Sequence, residues 1–376
     1  MNPSFRWGVP TAIRFGLHAI EALPEVAPAS GDGPVLIVTD RVIARLGLAG
    51  RVVELLAPRA CEVFAAVEPN PTTRIVDAAA ARAREKGASL VIGLGGGSSL
   101  DAAKTAALLA REPGNEIAPL LHGRTKPAGA RLPLVAIPTT AGTGSEVTPI
   151  SVLTDPDADE KRPLVHPSLY PAVALVDPEL TRTMPAGVTA STGMDALSHA
   201  MEALWSTGAN PISDALGLEA ARLVLTHLAP ACARADDLEA RSGMSLGSLL
   251  AGLAFGHTKT AGVHALSFPL THRFGVPHGS ACAMGLAPFA RLNRPAIEGK
   301  LARLARLLGE PDVEALLARL ERLTRAIEIP GSLASLGVSR EDWPALASET
   351  LAHPNAGNNP VPLDEITLTA ILEEIA

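Results

Sequence analysis

The stretch SLVIGLGGGSSLDAAK (89–104) runs from a continuous apolar segment, through a cluster of glycines, into an alanine-rich helical pattern. A short apolar run without alternation reads as a strand buried on both faces, and the helix that follows at once makes a strand–turn–helix unit. Glycines at 95–97 let backbone N–H groups approach an anion closely, and the helix start adds favourable dipole charge. A tight turn alone would also select glycine, so a purely structural reading stands beside the phosphate-binding one. The spacing is not G-x-G-x-x-G, and the turn follows the third strand candidate instead of the first. A dinucleotide fold of two equal halves therefore fits poorly.

Outward from this unit the same alternation continues. VLIVTD (35–40) precedes a helical stretch to about Leu56. CEVFAAV (61–67) precedes NPTTRIVDAAAARAREKG, with Asn70 or Thr72 as N-cap and Gly87 as the stop. LPLVAIPTT (132–140) and AVALVDP (172–178) add two further strand candidates. Strands alternating with helices of this length predict a parallel sheet with right-handed crossovers. After Pro178 the texture changes: from Val188 onward only Ala/Leu/Arg-rich helical runs follow. The pattern predicts an α/β domain over residues 1–178 and an all-α domain over 179–376.

A chain of 376 residues suits two domains, and 47% hydrophobic content makes it globular. The net charge of -7 and the absence of a basic tract argue against nucleic acid as a partner. No apolar run reaches membrane-spanning length, and MNPSFRWGVP lacks a secretion-signal layout. Cys61, Cys232 and Cys282 form no disulfide framework, so a cytoplasmic protein is expected. Lysine occurs only six times, and Lys104, Lys161 and Lys259 fall in the segments that carry the chemistry.

IPTTAGTGSEVT (137–148) places hydroxyls and glycine directly after a strand, as a cofactor crevice requires. Asp40 ends the first strand candidate. There it either caps the helix RVIARLGL or accepts hydrogen bonds from a ribose, where it would also repel a 2′-phosphate. In GMDALSHAMEAL (193–204), Asp195 and His199 stand at i and i+4, so they share a helical face within reach of one ion. An unpaired carboxylate in such an apolar run would be costly. His264 and His278 lie beside small or apolar residues, and Pro277 and Gly279 would fix the second ring at a helix start. One Asp and three His make a four-ligand N/O set that suits Fe²⁺ or Zn²⁺.

GGGSSLDAAK, PTTAGTGSEVT, GMDALSHAMEA and the H…PHG pair together resemble the iron-dependent (group III) alcohol dehydrogenase family, in its order, from about Asp40 to His278. The resemblance implies the dehydroquinate synthase-like fold of that family, an α/β nucleotide-binding domain followed by an all-α metal-binding domain. It implies Asp195, His199, His264 and His278 as metal ligands. It puts the pyrophosphate on Gly95, Gly96, Gly97 and Ser98, with Asp101 in the same turn. Thr139, Thr140, Thr143 and Ser145 would line the cofactor crevice, with Lys161 nearby and Asp40 on the ribose. The implied activity is reversible NAD(P)(H)-linked hydride transfer between a small alcohol and its aldehyde, with NAD(H) favoured over NADP(H), in a homodimer. A dehydroquinate synthase-type cyclase is the rival on the same fold, and a binding protein without turnover is a third reading.

Three departures bear on the substrate. The family's HxxxHP reads HALSFP here, so Phe268 replaces a proton-relaying histidine. The segment before His264 is HTKTAG (257–262), with His257 and Lys259 where an amide and a glycine are common. NNPVPL (358–363) has Val361 where arginine is frequent. His257, Lys259, His272 and Arg273 are thus candidate catalytic-side groups, and as cationic donors they would suit an aldehyde with an anionic tail. KTAGVHALSFPLTHRFGVPHG resembles the corresponding block of phosphonoacetaldehyde reductases within the family. Hydroxyacid–oxoacid transhydrogenases resemble it in their aromatic residue four positions after the ligand, and neutral short-chain alcohols remain the alternative substrates.

Overall fold

All five apolar runs become strands of one parallel sheet. A computed structural model describes residues 4–27, 33–112, 114 and 116–376. In chain order its strands are β1 (Ala12–Phe15), β2 (Val35–Asp40), β3 (Cys61–Val67), β4 (Leu90–Gly95), β5 (Leu134–Pro138), β6 (Ile150–Asp155), β7 (Glu160–Val165) and β8 (Val173–Val176). Six of them form a sheet in the order β1-β8-β5-β4-β2-β3, and every pairing is parallel. β2, β4, β5 and β8 are almost wholly buried, as expected of strands covered on both faces. The antiparallel hairpin β6–β7 stands apart from this sheet.

Six helices belong with the sheet: α1 (Leu23–Val26), α2 (Arg41–Arg45), α3 (Leu48–Leu55), α4 (Thr73–Glu85), α5 (Gly97–Leu109) and α6 (Ala118–Leu121). The N-cap of α4 is Thr72, whose hydroxyl accepts from the Ile75 N–H at 3.3 Å, while Asn70 takes a left-handed φ of 55°. Asp40 caps α2 through one carboxylate oxygen. Its Oδ1 accepts the N–H groups of Val42 and Ile43 at 2.8 and 2.9 Å.

The second half is helical: α7 (Ala186–Trp205), α8 (Pro211–Ala233), α9 (Leu238–Thr258), α10 (Gly262–Phe274), α11 (His278–Leu307), α12 (Val313–Ala326), α13 (Trp343–Ala352) and α14 (Glu365–Glu374). α7 is buried around almost its whole circumference by Met194, Leu197, Met201, Leu204 and their neighbours. That burial singles out the few polar side chains it carries. Two compact units result. One comprises Gly8–Thr140 and Ser145–Thr181; the other comprises Arg182–Ala376, joined by Ala141–Gly144 and by the described residues up to Trp7. Among the described residues no helix is long and apolar enough to cross a membrane.

Candidate metal centre and cofactor turn

Asp195, His199 and Glu202 project from one face of α7, and all three are buried. Asp195 Oδ1 is the hub of the cluster. His264 Nε2 lies 3.4 Å from it, His278 Nε2 3.7 Å and His199 Nδ1 3.8 Å. Ligand atoms about 2.1 Å from a shared ion stand about 3.4 Å apart at tetrahedral corners, so these separations are those of a ligand shell. Asp195 Oδ1, His199 Nδ1 and His264 Nε2 are also buried without any hydrogen-bond partner. Three orphaned polar atoms converging on one point are costly unless an ion satisfies them. The residues therefore fit a divalent metal.

The opposite nitrogen of each ring is held. Glu202 accepts from His264 Nδ1, and its other oxygen accepts the backbone N–H groups of Val263 at 2.7 Å and His264 at 3.3 Å. One carboxylate thus fixes a ring and satisfies orphan donors at the start of α10. Ser267 Oγ donates to the His264 carbonyl at 2.8 Å and lies 3.4 Å from His278 Nδ1. His199 hydrogen-bonds to the Gly142 backbone and stacks on Phe255 at 3.9 Å. All three imidazoles are thereby set with one ring nitrogen towards the same point.

The charges agree. Burial alone would raise Asp195, but His199, His264 and His278 hold its carboxyl well below the usual range. Burial, with His264 and His278 close by, pushes His199 down to about 3 against the pull of Asp195. Burial alone would also lower His264, but Cys282, Glu202 and Asp195 raise it well above the usual histidine value. Metal entry must therefore displace a proton from His264.

Sequence reasoning missed three members of this site. Glu202 lies seven residues after Asp195 on the same face, within the quoted GMDALSHAMEAL, and is fully buried. Cys282, one turn after His278, joins Asp195, His264 and His278 in a group whose ligand atoms all lie within 4.8 Å of one another. Burial would raise its thiol, but His264 and His278 draw it down to about 7. His353 stacks on Phe268 at 4.4 Å, and burial pushes it down to about 4. Nothing in the local sequence could have joined His353 to a residue so far away along the chain.

The four candidate substrate-side groups separate. Arg273 lies nine residues after His264, about two and a half turns along α10 and so on the opposite face. It pairs there with Glu349 at 3.1 Å and Asp342 at 3.7 Å, which corrects its expected part in an anion clamp. His272 is exposed on the same turn. His257 stacks on Trp7 at 3.8 Å, and burial lowers its pKa, so it offers no charge at neutral pH. Lys259 is exposed and ends α9 with φ 61° and ψ 171°, a backbone region that is essentially glycine-only. The flanking residues hold it there: Ser206 donates to the Thr258 carbonyl at 2.6 Å, and Asn355 and Asn358 bind Thr260 at 2.7 and 2.9 Å. Relief of strain worth about 1–3 kcal/mol, less the extra unfolded-state entropy of glycine, predicts that Lys259→Gly stabilises the protein by about 1 kcal/mol. An equilibrium urea titration would measure it.

In the sheet unit, Gly96 caps α5 without any side-chain bond, leaving the N–H groups of the Gly97–Ser98 turn for an anion. Gly95 has φ 145°, and a Cβ there would meet Ser99 Oγ at 2.6 Å and stand 3.5 Å from the second oxygen of Asp40. Thr139 N–H donates to the Gly95 carbonyl at 3.0 Å, and Thr140 borders Gly96. Asp101 is committed within the fold, accepting from Ser145 Oγ at 2.6 Å and the Val152 N–H at 2.8 Å, so a direct cofactor contact through its carboxylate is corrected to an anchoring role. Lys104 is buried against the Ile150 carbonyl at 2.8 Å, and Lys161 binds Asn70 at 2.8 Å. Thr143 belongs to the 141–144 segment that packs in the helical unit, where Gly142 borders Thr192 and Gly144 borders Gly252.

A parallel α/β unit with an open glycine turn, and a helical unit carrying a one-carboxylate, three-imidazole cluster, fit a metal- and nucleotide-dependent enzyme. The family profile described as "Iron-containing alcohol dehydrogenase" matches residues 10–178, and that described as "Fe-containing alcohol dehydrogenase family, C-terminal" matches residues 189–376. The chain belongs to the iron-containing alcohol dehydrogenase family and is an oxidoreductase acting on CH–OH groups, with iron and NAD as the family's cofactors. It is 38% identical to sulfoacetaldehyde reductase from Bifidobacterium kashiwanohense in complex with NAD⁺, with a TM-score of 0.95 over 100% of this chain and 99% of that one. It is 35% identical to choline dehydrogenase of Bacillus subtilis, covering 95% of this chain and 91% of that protein. To 1,3-propanediol dehydrogenase of Klebsiella pneumoniae it is 36% identical, covering 98% of each.

Proposed function

We propose that the protein reduces a small anionic aldehyde with NADH, holding a divalent metal on Asp195, His199, His264 and His278. The observation that carries this reading is the convergence of orphaned ligand atoms on Asp195 Oδ1. The bound metal would supply Lewis acidity at the carbonyl oxygen, and the nicotinamide would supply the hydride. The protein's own groups do the rest. Glu202, Ser267 and the Gly142 backbone orient the three imidazoles. The Gly95–Ser98 turn receives the pyrophosphate, and Asp40 disfavours a 2′-phosphate and so selects NAD over NADP. Phe268 and His353 close one side with stacked, uncharged rings, so no proton relay runs through position 268. The reading also carries a homodimer in the cytoplasm.

Two observations support an anionic substrate. Lys259 stands on a backbone that favours glycine, and strain of that kind collects at functional positions. The relative named sulfoacetaldehyde reductase acts, by its name, on an aldehyde with an anionic tail. Neutral alcohols are the second reading, favoured by the relative named 1,3-propanediol dehydrogenase. NADH oxidation with phosphonoacetaldehyde, succinic semialdehyde and butanal decides between them. An anionic aldehyde is expected to have the higher kcat/KM, with KM rising up to about fivefold in Lys259→Ala and unchanged in Arg273→Ala, since one exposed charge contact contributes up to about 1 kcal/mol. A clear preference for butanal, or an unchanged KM in Lys259→Ala, would sink the anionic reading. Turnover without net NADH consumption would instead point to the cyclase.

A further inference from the structure

Cys282 lies one helical turn after His278 on α11, fully buried, with Sγ 3.9 Å from His278 Nε2. That nitrogen is the one turned towards Asp195 Oδ1. A buried cysteine is by default a small apolar filler. Here, though, the sulfur belongs to the mutually close group formed with Asp195, His264 and His278, whereas His199 stands outside that group. Asp195 Oδ1 and His264 Nε2, aimed into the same space, are more than nine-tenths buried and have no partner.

We propose that the Cys282 sulfur is a direct ligand of the metal, added to Asp195, His264 and His278 on one side of the centre, with His199 completing the shell from the other. The inference rests on the metal-centre reading above. On binding, the thiol proton leaves to solvent and the sulfur lone pair forms the metal bond. A carboxylate and a thiolate together neutralise a divalent ion, whereas the all-N/O set would leave one positive charge. Thiolate is the softer donor and shifts selectivity towards zinc.

The test needs no turnover. Protein stripped by chelator and reloaded with Co²⁺ is expected to show visible d–d bands together with a near-ultraviolet thiolate-to-cobalt charge-transfer band. In Cys282→Ser the d–d bands persist and the charge-transfer band is lost. X-ray absorption of the zinc-loaded wild type is expected to show one sulfur at about 2.3 Å. In competition, the zinc-over-iron preference is expected to fall about tenfold or more in Cys282→Ser, in line with the donor-softness order. Cobalt d–d bands without a charge-transfer band in the wild type overturn the proposal while leaving the metal centre intact. The same band surviving in Cys282→Ser overturns it equally. If the wild type binds no cobalt at all, the metal-centre reading fails and this inference with it. Should Cys282→Ser not fold, the zinc–sulfur distance in the wild type decides alone.

Discussion

Replacing Asp195 by alanine is expected to reduce bound metal to less than about a tenth of an equivalent and to lower kcat/KM by about a thousandfold or more, roughly 4 kcal/mol of transition-state stabilisation. The size follows from its position as the hub, with nitrogens of His199, His264 and His278 all within 3.8 Å of Oδ1. Without the carboxylate, three imidazoles would share a buried space with the hub of the cluster gone and no carboxylate facing the ion. Metal content after gel filtration, read beside a thermal melt, checks the result. A folded Asp195→Ala variant that keeps stoichiometric metal would remove the assignment.

The protonation states add a direction. Asp195 is depressed in the folded state, so its ionised form contributes stability above its unfolded value and loses it only as pH falls through the folded one. Between pH 5 and 8, ordinary assay conditions, it therefore stays charged. His264 is raised, so its proton is held at neutral pH in the metal-free cluster and must be displaced. Metal affinity is accordingly expected to fall on acidification by about tenfold per pH unit for each proton displaced, through imidazole and thiol and not through carboxylate. Equilibrium dialysis at two pH values reads the slope.

The sheet was legible in the sequence wherever a strand is buried on both faces. VLIVTD and LVAIP coincide with β2 and β5, because strands covered on both sides carry such near-continuous apolar runs, while CEVFAAV forms the half-buried edge strand β3. β1 escaped because AIRF is exposed along its length and pairs along one side with β8 alone. The β6–β7 hairpin escaped because EKRPLV is polar and contains a proline, both marks against a strand.

The site was legible where its residues share a helical face. Asp195 and His199 could be paired by spacing, and the same arithmetic extends to Glu202 and to His278 with Cys282. Those two were passed over because a glutamate and a cysteine have ordinary readings on a helix. Arg273 shows the opposite error. Nearness in sequence to His264 suggested a shared pocket, but helical phase turned it towards Glu349 and Asp342. Lys259 was marked in the sequence as a departure, but its strain could be read only from its backbone, since a residue's φ is not written in its neighbours.

Gly279→Ala is expected to destabilise the protein by about 3 kcal/mol or more and to release the metal, although the substitution adds a single methyl group. A Cβ at Gly279 would stand 1.8 Å from the Ser191 carbonyl oxygen and 2.6 Å from its carbon, both backbone atoms of α7. No rotamer can relieve such a clash, so the start of α11 would have to move away from α7. His278 is the neighbouring residue and the first of α11, so its ring would be carried away from Asp195 by the same shift. A control beyond the kink at Ile297 in α11 separates this from a general intolerance of alanine. Gly299 is exposed within α11, and a Cβ there meets nothing within 4 Å. Gly299→Ala is expected to stabilise by up to about 1 kcal/mol, through helix propensity and lower unfolded-state entropy. Denaturant titrations of both variants, with metal content measured on each, should therefore give shifts of opposite sign. If Gly279→Ala keeps both its stability and its metal, α11 is not held against α7 by that close contact.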